Sequence, residues 1–320
     1  MNKLSELIND DIETVGIAGH VRPDGDCVGS VLGMAEYLRK NFRLTVDTYL
    51  EPIPDMFKFL KGADQLIEEV KDKKKVYDLF ISLDCAECHR LGDAALLLKA
   101  AKKSLCIDHH QSNSGFADIN DIRPHDSSTC EIIYTWMDRE LITKDIAECL
   151  YCGMVTDTGV FQYSCTHSST MTAAGDLMDM GINYPWIVNR IFFEKSIEQQ
   201  KILGIALEKA VLSSDGRIIY TILTLDDMKR ANAKAKHLEG IASSLRSTKG
   251  VNVSIMIQQT GDMTYKLSLR SDESCDVAVI CEKYGGGGHN RAAGATLNIP
   301  PEKAVEELTG YIREAFEKKT

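Results

Sequence analysis

Apolar and polar positions follow two alternating rhythms in the first half of the chain. Val15-Gly16-Ile17-Ala18 is a short continuous apolar run of the kind a buried strand shows. Residues 27–40 follow with apolar side chains at helical spacing: Val28, Val31, Leu32, Ala35 and Leu38. Residues 44–50, 78–83 and 104–107 are predicted as three more strands, and 94–101, 129–138 and 145–156 as helices. Strands alternating with helices predict an α/β domain, doubly wound around a mostly parallel sheet. From 169 to 209 the pattern is helical with few turn signals. Beyond it, 217–223, 251–259 and 264–269 are strand-like, Ser213-Ser214-Asp215-Gly216 and Thr260-Gly261-Asp262 read as turns, and 225–232, 238–246 and 302–318 read as helices. This second rhythm predicts a smaller α+β domain. The boundary falls at 190–205, giving domains 1–195 and 205–320. The chain shows no internal repeat and no low-complexity stretch.

The chemistry collects where the predicted strands end. The first strand runs into His20-Val21-Arg22-Pro23-Asp24-Gly25-Asp26, the third ends at Asp84, and the fourth ends at Asp108-His109-His110. Ligands of open α/β sheets bind beyond the carboxyl ends of the strands, so the three groups converge on one edge. Asp157, in Thr156-Asp157-Thr158-Gly159, closes the apolar helical run 146–155 and is a fourth candidate. Each group has an ordinary reading alone. Asp26 reads as a helix cap, Asp24 with Pro23 and Gly25 as a turn, and the paired histidines as surface residues. Together, so many carboxylates and imidazoles at one edge are costly unless cations pair with them. Carboxylates outnumber imidazoles and no thiolate belongs to the pattern, which suits Mn²⁺ or Mg²⁺ better than structural zinc. The number of ligands suits two ions sharing a carboxylate. Such a pair, about 3.5–4 Å apart, can generate a hydroxide and stabilise both oxygens of an in-line displacement, so phosphoester hydrolysis is the expected use.

The second domain carries one sharp signal, Gly285-Gly286-Gly287-Gly288-His289-Asn290-Arg291. Successive glycines let backbone N–H groups approach an anion closely, and His289 and Arg291 add side-chain donors. Arg270, after Lys266-Leu267-Ser268-Leu269, is a further phosphate-binding candidate. The ordinary alternatives are a flexible turn before a strand and a solvated strand-end charge.

Composition narrows the class. The chain of 320 residues is 44% hydrophobic and 26% charged, as in a folded globular protein. No apolar run approaches the roughly 18–20 residues of a membrane span, and the N-terminal stretch has no signal-peptide pattern, so a cytoplasmic location without membrane association is expected. The formal net charge of −10 disfavours duplex DNA and long strands, but leaves room for a small anion focused by metal ions. The ten cysteines read as reduced, packed thiols. Cys85/Cys88 and Cys149/Cys152 have Cys-x-x-Cys spacing but lack knuckle glycines, so structural zinc is not expected.

At this point the motifs resemble a known family. His20-x3-Asp24-x-Asp26, strand-end Asp84, Asp108-His109-His110 and Thr156-Asp157-Thr158-Gly159 are similar to the four motifs of the DHH phosphoesterase superfamily. The glycine-rich segment ending in His289, with Ser268-Leu269-Arg270-Ser271 before it, is similar to the DHH-associated C-terminal domain. The two-domain nanoRNase/pAp-phosphatase type is the subgroup it most resembles, and Ser127-Ser128-Thr129-Cys130-Glu131 is similar to that subgroup's helix start.

The resemblance implies one metal held by His20, Asp24 and Asp84, and another held by Asp26, Asp84, His109 and Asp157, with Asp84 bridging. The ions would be Mn²⁺, with Mg²⁺ as the alternative. His110 would act beside the scissile phosphate, with Asp108 orienting its neighbours. Arg270, Gly287, Gly288, His289 and Arg291 would bind the substrate's other phosphate or its nucleotide. The implied enzyme works in the cleft between its domains as an exonuclease on short RNA and as a phosphatase on 3′-phosphoadenosine 5′-phosphate (pAp). A homodimer is compatible with this reading. The rivals are a phosphodiesterase of pApA or cyclic di-AMP, and a nucleotide-binding regulator that keeps the metal site. A RecJ-type exonuclease is disfavoured for want of room for another nucleic-acid-binding domain. A family II pyrophosphatase is disfavoured by the glycine-rich segment.

Overall fold

The computed structural model describes residues 3–8 and 11–318, so Met1 and Asn2 of the N-terminal stretch read for a leader lie outside the described residues. The chain divides into two compact units, Met1–Glu194 and Lys195–Thr320.

The first unit begins with the short helix α1 (Lys3–Leu7), strand β1 (Thr14–Ala18) and helix α2 (Gly25–Asn41). It continues through β2 (Thr45–Tyr49), β3 (Leu79–Leu83), α3 (Ala94–Ala100), β4 (Ser104–Asp108) and β5 (Ile119–Ile122). Helices α4 (Thr129–Trp136), α5 (Lys144–Asp157), α6 (Ser168–Asp179) and α7 (Tyr184–Val188) complete it. The five strands run parallel in the order β2-β1-β3-β4-β5. That order reverses between β1 and β3, and a doubly wound sheet opens its ligand crevice at such a point. β3 and β4 are buried throughout, which is why they read as unbroken apolar runs. β5 was not among the predicted strands. Its sequence, Ile119-Asn120-Asp121-Ile122, is half polar because it forms the sheet edge.

Helices α2 and α5 lie against each other through small residues. A Cβ on Gly29 would sit 2.4 Å from the Cys149 carbonyl oxygen, and one on Gly153 would sit 2.7 Å from Asp26 Oδ1. Side chains there would push the helices apart, at a cost of about 1–3 kcal/mol each by overpacking. The close approach matters because α2 carries Asp26 in its first turn and α5 ends at Asp157.

The second unit contains α8 (Ile197–Glu208), β6 (Val211–Leu212), β7 (Ile218–Leu223), α9 (Leu225–Arg230), α10 (Ile241–Arg246), β8 (Val253–Gly261) and β9 (Thr264–Ser271). They are followed by α11 (Val277–Glu282), β10 (Gly287–His289), β11 (Ala292–Leu297) and α12 (Pro301–Lys318). Its sheet has the order β10-β11-β9-β8-β7-β6, antiparallel except for the β7–β8 pair. In β9, buried Tyr265, Leu267 and Leu269 alternate with Lys266, Ser268 and Arg270. One face of the sheet packs against α11 and α12, and the other, over β7 and β8, against α8, α9 and α10. The smaller α+β fold expected from the sequence is present. The short strand β10 and helix α11 were not predicted: β10 is two glycines and a histidine, and α11 is a six-residue run, Val277-Ala278-Val279-Ile280-Cys281-Glu282, too short for a helical period to show.

Candidate metal centre

Beyond β1, Asp24 caps α2 by accepting a 3.1 Å hydrogen bond from the Cys27 N–H. The cap position therefore belongs to Asp24, and Asp26 has another role. Its carboxylate accepts from the Thr129 N–H at 2.6 Å and the Cys130 N–H at 3.0 Å. Asp26 thus meets the amino end of α4, where free N–H groups and the helix dipole favour an anion. Ser128 caps the same helix, accepting from the Glu131 N–H.

Asp84 lies one residue past β3 with φ at +54°, in the left-handed region that is costly for a residue with a side chain. Its two oxygens face different neighbours. Oδ2 is 3.5 Å from His20 Nε2, and that nitrogen is 3.7 Å from Asp24 Oδ2. Oδ1 is 3.6 Å from His109 Nε2 and 3.6 Å from His110 Nδ1. His109 Nε2 is in turn 3.1 Å from Asp157 Oδ2 and 4.0 Å from Asp26 Oδ2. The six candidate ligands thus fall into two adjoining groups, His20/Asp24 and Asp26/His109/Asp157, with one oxygen of Asp84 turned to each.

The electrostatics show why such a cluster wants cations. Burial and the like charge of Asp84 push the Asp26 carboxyl up to about 7. Burial pushes Asp157 up to about 6, against the bond from His109. Burial opposes charging His109, yet Asp157, Asp26 and Asp84 raise it to about 10. His20 is likewise buried, and Asp24 and Asp84 hold it far above the usual imidazole range. Without other cations, protons must offset the crowded carboxylates; divalent ions would displace them. The donor set of imidazole and carboxylate fits hard or borderline ions. Cys27 lies beside His20 and Asp84, and burial pushes its thiol up to about 12.

His110 Nδ1–H donates to Asp108 Oδ1 at 2.7 Å, and the Asn113 amide donates to Asp108 Oδ2 at 2.8 Å. Burial opposes the Asp108 charge, but the bonds from His110 and Asn113 lower its pKa, so it is a charged anchor for the His110 ring. Two participants were not assigned a role from the sequence, Thr129 having been read only as part of a helix start. Thr129 Oγ1 donates to Asp84 Oδ1 at 3.1 Å while its own N–H holds Asp26. Asn113 was not singled out; its place shortly after Asp108-His109-His110 was the available signal.

In the second unit, Arg270, Gly287, Gly288, His289 and Arg291 fall on the β9, β10 and β11 side of the sheet. The glycines differ in their reasons. Gly288 has φ at +148°, and a Cβ there would sit 2.4 Å from the Ala292 carbonyl oxygen, so the β10–β11 pairing itself requires it. Gly287 meets nothing within 4 Å and has no packing reason to lack a side chain. Gly287, Gly288 and His289 are exposed. Arg291 pairs with Glu273, and Arg270 Nη1 donates to the Leu269 carbonyl at 2.9 Å.

Comparison with known proteins gives the same two-part division. The model of the DHH family, N-terminal domain, matches residues 14–154, and that of the DHHA1 domain matches 215–318. The bifunctional oligoribonuclease and PAP phosphatase NrnA of Thermus thermophilus is 26% identical, over 98% of this chain and 94% of that protein. The protein of the same name from Bacillus subtilis is 27% identical, over 89% of this chain and 90% of that protein. The cyclic-di-AMP phosphodiesterase GdpP of Geobacillus thermodenitrificans is 28% identical over 98% of this chain, but only 49% of that protein is spanned. Among solved structures, an exopolyphosphatase-related protein from Bacteroides fragilis superposes with a TM-score of 0.82 at 25% identity, covering 96% of this chain and 92% of that one.

Proposed function

The chain belongs to the DHH family and carries its companion DHHA1 domain, and from that membership we propose that this phosphoester hydrolase acts on short RNA oligonucleotides and on pAp. The observation that carries the two-ion reading is the division of Asp84, one oxygen toward His20 and the other toward His109. In this reading His20, Asp24 and Asp84 hold one divalent ion, and Asp26, Asp84, His109 and Asp157 hold the other, with Mn²⁺ preferred. Four carboxylates among these six residues match the charge of two divalent ions. When bound, the ions would supply Lewis acidity to the phosphate and a nucleophile at neutral pH.

The chain's own residues do the rest. Thr129 and the amino end of α4 fix the carboxylates Asp84 and Asp26. His110, half-buried and anchored by Asp108, is placed to stabilise charge on the reacting phosphate or to give a proton to the leaving oxygen. Residues 1–195 form the catalytic domain. Residues 205–320 form the substrate-binding domain, in which Arg270, Gly287, Gly288, His289 and Arg291 grip a second phosphate. That grip selects short substrates cut from one end, and the net charge of −10 gives long strands and duplex DNA little help. The ten free cysteines fit a reducing compartment such as the cytoplasm. Among the described residues, no helix is long and apolar enough to cross a membrane.

The relatives named oligoribonuclease and PAP phosphatase align along nearly their whole length, which favours RNA and pAp over a cyclic dinucleotide. A turnover panel with Mn²⁺, comparing pAp, pApA, cyclic di-AMP, RNA of graded length and pyrophosphate, tests this. Fastest turnover is expected on pAp and on RNA a few nucleotides long. Preference for cyclic di-AMP, or no turnover on any substrate, would overturn the proposal in favour of the rival phosphodiesterase or a regulator.

A further inference from the structure

The second unit leaves one part of its sheet open. Along β8 and β9, Val253, Ile255, Ile257, Leu267 and Leu269 point into the core beneath α11 and α12. Their neighbours alternate to the other face, as strand geometry requires. On that face, between the strands and the segment leading from Ala235 into α10, lies a cavity of about 390 Å³. Met256, Ala242, Gln258, Lys266, Ser268 and Arg270 contribute to its lining.

Gln258 is the informative member. It is only 6% exposed and lines the cavity, and its side-chain amide has no hydrogen-bond partner among the described residues. The amide atoms themselves still reach the cavity, so their donors and acceptor are open to a ligand there. Beside it, Met256 at 5% exposure and Ala242 at 4% make an apolar wall. In the β8–β9 register Gln258 lies opposite Lys266, Met256 opposite Ser268 and Ser254 opposite Arg270. One amide, an apolar wall and two cations along a strand therefore share a single concave surface. Its volume lies within the roughly 300–1,000 Å³ of small-molecule sites. An amide offering a donor and an acceptor side by side complements the edge of a nucleobase, as glutamine does with adenine.

We propose that this cavity is a nucleobase subsite. Gln258 hydrogen-bonds the base edge, Met256 and Ala242 pack on the base, and Lys266 and Arg270 hold a phosphate of the same nucleotide. The inference rests on the nucleotide-hydrolysing function proposed above, and adds a base-recognising group to the phosphate grip of the glycine-rich segment.

The test is calorimetric binding of AMP and of ribose 5-phosphate, its base-free counterpart, to the full chain in EDTA, where metal-mediated binding is removed. AMP is expected to bind about tenfold more tightly than ribose 5-phosphate, the scale of an amide–base pair of hydrogen bonds. Gln258→Met should bring AMP down to the level of ribose 5-phosphate and leave ribose 5-phosphate unchanged, which also reports an intact fold. Lys266→Ala should weaken both ligands. In the wild-type chain, the Gln258 side-chain amide resonances should shift with AMP and stay in place with ribose 5-phosphate, a readout independent of how the variant folds. Equal affinity of the two ligands for the wild type, a tenfold difference surviving in Gln258→Met, or an unmoved amide resonance would overturn the subsite. Loss of all turnover in the substrate panel with the AMP preference intact would instead sink the proposed function.

Discussion

The two units present their functional candidates in opposite physical states. In the first, the carboxylates are mostly buried and each is fixed by a neighbour: Asp26 by the amino end of α4, Asp84 by Thr129 and Asp108 by Asn113. In the second, Gly287, Gly288 and His289 are exposed, and His289 has no side-chain partner among the described residues. A buried, interlocked cluster is preorganised for compact cations, which reward fixed geometry. An exposed backbone segment with free donors suits a larger, variable anion that brings part of the geometry with it. The comparison implies that substitutions in the first unit should act on metal content and on turnover of every substrate. Those in the second should act on selected substrates alone.

The largest effect is expected at the shared carboxylate. Asp84→Asn keeps the side chain's size but removes the charge that faces both groups. Turnover should fall about a thousandfold or more, the scale of losing several kcal/mol of charge stabilisation. Metal analysis should find fewer than two Mn²⁺ per chain. Full occupancy with near-wild-type turnover would break the comparison at its strongest point.

Thr129 sharpens the same comparison one step away from the ligands. Its hydroxyl donates to Asp84 and its N–H to Asp26, so one residue ties the two carboxylates together. Thr129→Val keeps the shape and the N–H and removes only the hydroxyl. Supporting partners of metal ligands are worth about 10–100-fold in metal affinity or activity, so Mn²⁺ titration should show a loss of that size. Thr129→Ser, which restores the hydroxyl, should recover most of it. If serine and valine behave alike, Thr129 contributes only packing.

The contrast also explains what was legible in the sequence. The strand-end histidines and aspartates could be read because each sits at a local boundary between an apolar run and a turn. Asp157 could be read because it ends an apolar helical run. The links among them could not. Asp26 meets Thr129 and Cys130 more than a hundred positions away, and only the folded crossing of α2, α4 and α5 brings them together. A trace of that crossing was present as Gly25, Gly29 and Gly33, a repeat of four along one face of α2. Strand β5 was hidden because an edge strand needs few apolar residues. In the second unit, the glycine run was visible as composition, but its division of labour was not. Gly288 is required by the β10–β11 pairing, and Gly287 is the position with open space.

The smallest effects should come from the exposed segment, and they should differ between its two side-chain donors. His289 is exposed and unpartnered, so its imidazole is available to a substrate phosphate at no cost in broken contacts. Arg291 already pairs with Glu273 on the surface, and engaging a substrate would exchange one exposed ion pair for another. His289→Ala should therefore slow pAp hydrolysis about tenfold, the scale of one charge-assisted hydrogen bond. Arg291→Ala should stay within about threefold, as expected for an exposed pair. Neither should change Mn²⁺ content. Neither should alter turnover of bis-p-nitrophenyl phosphate, which offers no second phosphate to grip. Because remote binding energy can also orient the reacting centre, kcat as well as KM for pAp should respond to His289→Ala. If the generic ester slows as much as pAp, the segment supports the fold or the metals, and the distinction drawn between the two units fails. If Arg291→Ala proves the more damaging for pAp alone, the grip belongs to the guanidinium, and Glu273 holds it in place for the substrate.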